Sequence, residues 1–150
     1  MSTDDDTHYM MRALALAEPM RGRTAPNPAV GCVIVKKGEV VGEAATAPGG
    51  RPHAETQALE KAGKRAKGAD IYVSLEPCAH HGVTPPCAEA LVKAQPARVI
   101  VACRDDDPRT NGQGIEILKK AGIKVTEGVL EAEARAQNAT FFARFIRGGP

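Results

Sequence analysis

The chain has 150 residues, 43% of them hydrophobic and 25% charged, with a formal net charge of +2. That balance fits one globular domain able to bury about two thirds of its unfolded surface without a disulfide. The small charge and the 3% aromatic content, with no Trp, exclude a nucleic-acid partner gripped by a basic face or by stacked rings, and no apolar run approaches the roughly 20 residues that a membrane span requires.

The N-terminus, MSTDDDTHYM, is acidic where a secretory leader is basic and then apolar, so the expected location is the cytoplasm, where thiols stay reduced and free for metal. The periodicity of residues 7–17 predicts an amphipathic helix with Met10, Leu14 and Ala17 on one face, ended by Pro19. VGCVIV at 30–35 is apolar and β-branched, as a strand covered on both faces should be. Lys36-Lys37-Gly38 turns the chain, and 39–45 returns as an antiparallel edge strand. A helix follows over 54–62, stopped by Gly63, then a buried strand over 69–74, a helix over 86–94 and a buried strand over 98–102. A helix over 114–121, a strand over 124–127 and one long helix from Leu130 to about Phe145, with Leu130, Ala134, Phe141 and Phe145 on a stripe, complete the chain. The alternation predicts an α/β fold of three layers, α/β/α, with helices on both faces of a mixed five-stranded sheet and no linker dividing residues 1–150.

The chemistry lies in HAE at 53–55 and EPCAHHGVTPPC at 76–87. Loops leaving the carboxyl ends of strands in an open α/β sheet share one crevice, so His53, Cys78 and Cys87 can meet although they are far apart in sequence. Pro86 suits the first position of a helix, which puts Cys87 in the first turn, where the positive end of the helix dipole favours a thiolate. One His and two Cys leave the fourth corner of a tetrahedral zinc open to water, the mark of a catalytic site. Glu55 can lie beside that corner and carry protons. A straight helix would turn Glu55 about 200° away from His53, so the metal must sit off the helix end. The order H-x-E, then P-C, then a second Cys is that of zinc nucleobase deaminases.

Together TAPNPAVGCVIV, GGRPHAET, LEPCAHHGVTPPCAEAL and DDDPRTNGQGIEILKKAGIKV resemble the deaminase domain of the bifunctional riboflavin-biosynthesis deaminase/reductase family, within the cytidine-deaminase-like superfamily. The likeness covers essentially residues 7–150. It implies zinc on His53, Cys78 and Cys87, with Glu55 as proton shuttle. It also implies Asn27 hydrogen-bonded to the pyrimidine ring and His80 near the ribose-phosphate of a small-molecule pyrimidine nucleotide. In two places the chain departs from the family pattern. Thr46 stands where histidine is common, and Val83 where a basic residue precedes T-P-P-C, which removes charge-assisted contacts to a phosphate. Arg51 and Arg109 are the neighbouring basic residues that can replace them. The chain stops about where the family's reductase domain would begin, and the resemblance leaves room for a homo-oligomer.

Competing readings are a related deaminase of cytidine, guanine or tRNA adenosine, and a non-catalytic zinc-bound scaffold. A redox dithiol is disfavoured by the eight residues between the cysteines. Cys32 and Cys103 read as small buried hydrophobes and His8 as a surface residue, while His81 sits beside His80 without a separate role. Phe141, Phe142 and Phe145 read as core. The G-x-G of NGQGIE lacks a dinucleotide fingerprint.

Overall fold

The computed structural model describes residues 3–79 and 86–146. Its elements are α1 (Thr3–Ala17), β1 (Gly31–Lys36), β2 (Glu39–Ala45), α2 (Ala54–Ala62), β3 (Asp70–Val73), α3 (Cys87–Ala94), β4 (Arg98–Val101), α4 (Gln113–Lys120), β5 (Lys124–Glu127), α5 (Glu131–Gln137) and α6 (Ala139–Ile146). The five strands form one sheet in the order β2-β1-β3-β4-β5. β1 is antiparallel to both of its neighbours, while β3, β4 and β5 are parallel. The expected α/β fold, a mixed five-stranded sheet with helices on both faces, is what the chain adopts.

Period-two alternation decides which helix covers which face. A Cβ on Gly31 would lie 1.8 Å from the carbonyl oxygen of Ala13, so α1 rests directly on the odd-numbered side of β1. A Cβ on Gly42, whose partner is Ile34, would lie 2.5 Å from Ala58 O, so α2 covers the opposite side. Tyr72 pairs with Val33 and therefore faces α1, where its hydroxyl donates to Asp6 at 2.7 Å. Arg98 binds the same carboxylate, through Nη2 to Oδ1 at 2.7 Å and Nη1 to Oδ2 at 3.1 Å. α5 joins α1 on this face, because Gln137 Nε2 donates to Leu14 O at 2.8 Å. α3 packs against α2 and α4 on the other face.

The core runs through the sheet, with Ile34, Ile71, Val73, Val99 and Ile100 fully buried, each such side chain stabilising the fold by roughly 1.5–3 kcal/mol. Cys32 and Cys103 are part of it, as their apolar settings imply. Among the described residues no helix is long and apolar enough to cross a membrane.

Helix and strand limits agree with the sequence pattern to within a few residues, with two differences of substance. The expected continuous helix from Leu130 to Phe145 is two helices, broken at Asn138 (φ −115°, ψ 32°). Asn138 is buried, and its amide pairs with the backbone of Ala29 in both directions, Ala29 N to Oδ1 at 2.9 Å and Nδ2 to Ala29 O at 2.8 Å. That tertiary contact outweighs local helix propensity. Phe142 rather than Phe141 is the buried aromatic of the pair. The second difference is that Pro86 is the N-cap of α3 (ψ 143°), which makes Cys87 the first helical residue.

Candidate metal and catalytic centre

β2 and β3 run in the same direction, with β1 opposed between them. The segment entering β1 and those leaving β2, β3 and β4 are therefore gathered at one end of the sheet. Asn27, His53, Cys78 and the 103–112 loop belong to those four segments, and the start of α3 brings Cys87 to the same place.

His53 is the N-cap of α2, with extended backbone (φ −68°, ψ 159°), and Glu55 lies in the first turn. Because His53 is outside the helix, the 200° rotation does not apply, and imidazole and carboxylate can reach the same space. His53 Nδ1 is 3.2 Å from Cys87 Sγ. Ligand atoms of His53, Cys78 and Cys87 all lie within 4.8 Å of one another, and no other such cluster occurs among the described residues. Adjacent corners of a tetrahedron around zinc are about 3.5–3.8 Å apart when Zn–N and Zn–S take their usual lengths. The three side chains fit zinc with small adjustments, and Glu55 stands outside the ligand set.

The electrostatics suit a cation. Cys78 Sγ accepts the backbone N–H of Cys87 at 3.1 Å, and Cys78 O accepts that of Ala88 at 3.1 Å. The unsatisfied donors at the start of α3 are thus turned toward Cys78. The hydrogen bond with the Cys87 thiol, aided by His53, holds the Cys78 thiol down at about 4, against burial. Cys87 is pushed the other way, first by that shared hydrogen bond and then by burial. The start of α3 thus serves both sulfurs, with Cys87 in its first turn and its N–H given to Cys78 Sγ. His53 is raised by hydrogen bonding to the Cys78 sulfur, with burial opposing and Glu55 assisting. Glu55, only 4% exposed, is pushed up to about 7 by burial and by the negative Cys78. A carboxyl poised near neutrality can both take and return a proton.

The other expected residues fare differently. Asn27 is half-buried at the rim, with Nδ2 donating to Gly50 O at 3.1 Å and its backbone carbonyl accepting from Thr24 Oγ1 at 2.8 Å. Its Oδ1 accepts no hydrogen bond among the described residues. His80 and Val83 lie outside the described residues, as does His81. Thr46 is buried, its Oγ1 accepting from Val30 N at 3.0 Å, so it pins the loop rather than reaching a substrate. Arg109 is engaged by Asp107, with Nε at 3.0 and 3.1 Å from the two oxygens. Arg51 is exposed and forms no ion pair among the described residues.

Sequence reasoning missed Glu76. It is 3% exposed and accepts three backbone N–H groups, from Asp105 at 3.1 Å and Gly112 at 3.0 Å on Oε1 and from Ile115 at 3.1 Å on Oε2. The available signal was an acidic residue three positions after an apolar strand and two positions before a ligand cysteine.

Residues 3–103 match the family model for the cytidine and deoxycytidylate deaminase zinc-binding region. The chain belongs to this zinc-binding deaminase family. Among its relatives, "Riboflavin biosynthesis protein RibD" of Escherichia coli is 51% identical over 97% of this chain and 40% of that protein. The "Diaminohydroxyphosphoribosylamino-pyrimidine deaminase" of Buchnera aphidicola is 47% identical over 97% of this chain and 99% of that protein. A deaminase/reductase structure from Thermotoga maritima superposes with a TM-score of 0.91 at 38% identity, over 97% of this chain and 42% of that one. The chain thus spans about two fifths of the longer relatives and nearly all of the short one. Zinc is the family's metal, and His53, Cys78 and Cys87 are the side chains here that fit it.

Proposed function

We propose that this chain hydrolyses the exocyclic amine of a diaminohydroxyphosphoribosylaminopyrimidine in riboflavin biosynthesis, releasing ammonia. The observation that carries the reading is a metal-fitting His53–Cys78–Cys87 triad with a buried, non-ligating Glu55 beside it. The substrate is supported by the names of the relatives, above all the Buchnera protein matched over almost its whole length.

Zinc held by the triad supplies Lewis acidity and lowers the pKa of a water toward about 7. Glu55 accepts a proton as the water oxygen bonds to the ring carbon that bears the amine. The same carboxyl passes that proton to the ring nitrogen, then takes a second one from the hydroxyl on the tetrahedral carbon and gives it to the departing amine, so that the C–N bond breaks as the C=O forms and ammonia leaves. Asn27, with Nδ2 tied to Gly50, offers Oδ1 to a donor on the pyrimidine. Toward the phosphate, Arg51 is the unengaged cation two residues before His53, and His80 is assigned to the ribose-phosphate by family likeness. Residues 1–150 act as the deaminase unit. A reductase domain as in the longer relatives, a homo-oligomer and a cytoplasmic location belong to the same reading.

The test is ammonia release across a panel containing the diaminopyrimidine nucleotide, cytidine, guanine and an adenosine-bearing tRNA. Turnover of the first alone supports the proposal, and release from none of them supports the scaffold. Glu55→Gln should keep its zinc while losing about 10²–10⁴-fold in kcat.

A further inference from the structure

Two of the three metal-fitting side chains are carried by helix starts, but Cys78 sits on an irregular segment between β3 and α3. Side chains on loops keep a fixed direction only when other groups hold the loop. Here every residue from Glu76 to Ala79 is held from outside the segment, three of them by residues 103–115 and Cys78 by the start of α3. Glu76 N donates to Cys103 O at 2.9 Å, and its carboxylate takes the N–H groups of Asp105, Gly112 and Ile115. The Pro77 carbonyl is so close to Gly114 that a Cβ there would lie 2.0 Å from its oxygen. Cys78 is held by the N–H groups of Cys87 and Ala88, and Ala79 N donates to Thr110 Oγ1 at 3.3 Å. Four of these partners, Asp105, Thr110, Gly112 and Gly114, lie in DDDPRTNGQG, a stretch that the proposed chemistry does not use.

We propose that Glu76 is a positioning residue for the metal triad, clamping the 105–115 loop to the segment that carries Cys78 and so fixing the direction of its Sγ. This rests on the reading that His53, Cys78 and Cys87 hold zinc. The loop is a rigid brace in its own right, since Asp107 O accepts from both Thr110 N and Asn111 N at 2.8 Å, and Asp105 Oδ1 accepts from Asp107 N at 2.9 Å. A carboxylate is the one side chain of this size that accepts three N–H groups and carries no donor. In Glu76→Gln an amide NH₂ must face at least one backbone N–H, so the clamp opens on one side. Supports of this kind around a metal site typically govern its affinity by about 10–100-fold.

The test uses the full chain and zinc itself. The zinc Kd is measured by competition with a chromophoric chelator, and the visible spectrum of the cobalt-substituted protein reports the ligand geometry. Glu76→Gln should raise the zinc Kd by about 10–100-fold and shift the cobalt bands. Thr110→Val should do the same to a smaller degree, and Thr110→Ser, which keeps the hydroxyl, should restore the wild-type Kd. Asp6→Asn, on the other face of the sheet, should lower Tm while leaving the zinc Kd unchanged. Wild-type Kd and cobalt bands in Glu76→Gln would overturn the proposal. So would an Asp6→Asn variant that loses zinc in proportion to its Tm, since metal affinity would then follow general stability. Should Glu76→Gln not fold, the Thr110 pair decides by the same criteria. A wild-type chain that binds no zinc overturns the metal reading itself, and the clamp with it.

Discussion

Gly50→Ala should damage turnover without touching a metal ligand. Gly50 has φ +93°, and an added Cβ would lie 2.4 Å from Asn27 Nδ2, 2.8 Å from Thr24 O and 3.0 Å from Asn27 Cβ. The left-handed backbone alone costs an alanine about 1–3 kcal/mol, and loss of the Nδ2–Gly50 O bond adds about 1 kcal/mol. Together these correspond to a Tm drop of roughly 5–15 °C in a domain of this size. Restoring ordinary contact moves the Asn27 amide by about 1 Å, and if Asn27 positions substrate as proposed, a shift of that size costs on the order of 10²-fold in kcat/KM. The assay is ammonia release over a range of substrate concentrations, with zinc content and Tm measured on the same samples. Zinc should remain stoichiometric. In Asn27→Ala the added glycine substitution should cost little further kcat/KM, because both changes act through one amide. Multiplicative losses in the double variant, or wild-type kcat/KM in Gly50→Ala despite a lowered Tm, would refute the argument that Gly50 acts by placing Asn27.

Asp6→Asn removes a carboxylate held by Tyr72 and Arg98 and should cost about 2–3 kcal/mol at pH 7, read by thermal melts. Burial opposes ionisation of Asp6, but the bonds from Arg98 and Tyr72 prevail and lower its pKa below 3.8. The stabilisation is therefore complete above pH 3.8 and is lost as pH falls through the lowered value, so mutant and wild-type melts should converge in acid. Gly31→Ala drives a Cβ to 1.8 Å from the backbone of α1, where no side chain can yield. It should destabilise by more than about 4 kcal/mol in denaturant titrations. Chelation of zinc should expose Cys78 to thiol reagents at neutral pH, since its thiol is held at about 4. Cys32 and Cys103, buried and raised, should react only on unfolding, which mass mapping of labelled peptides will distinguish.

Residue patterns made most of the fold legible because its strands are short, β-branched and bounded by glycine and proline, and the ligand set was legible because its residue types admit few other roles. What escaped was tertiary in origin. Periodicity continues through Asn138, yet the helix breaks there because Ala29, 109 positions away, supplies a better partner for its amide. That Cys78 Sγ takes the Cys87 N–H is a matter of loop direction that spacing does not encode. Glu76 was not singled out, since nothing local shows that three N–H groups from residues 105–115 converge on it. Thr46 could be placed in its loop, but not turned inward onto Val30.

The antiparallel direction of β1 is what assembles the centre. Its six residues span about 20 Å at 3.3 Å per residue, so a parallel β1 would deliver Asn27 to the far end of the sheet. Running against β3, it starts where β3 ends, and the hairpin into β2 brings the chain back to the same end in time for His53. Register then couples the two visits. Gly31 pairs with Ala45, Thr46 N donates to Val30 O at 3.0 Å, and Asn27 Nδ2 reaches Gly50 O. The segment assigned to substrate and the loop that carries the imidazole are thereby indexed against each other through a continuous ladder. A one-residue slip would turn Gly31 and Gly42 away from the helices that need their missing side chains. The close contacts of α1 and α2 with those glycines consequently hold the catalytic end in register.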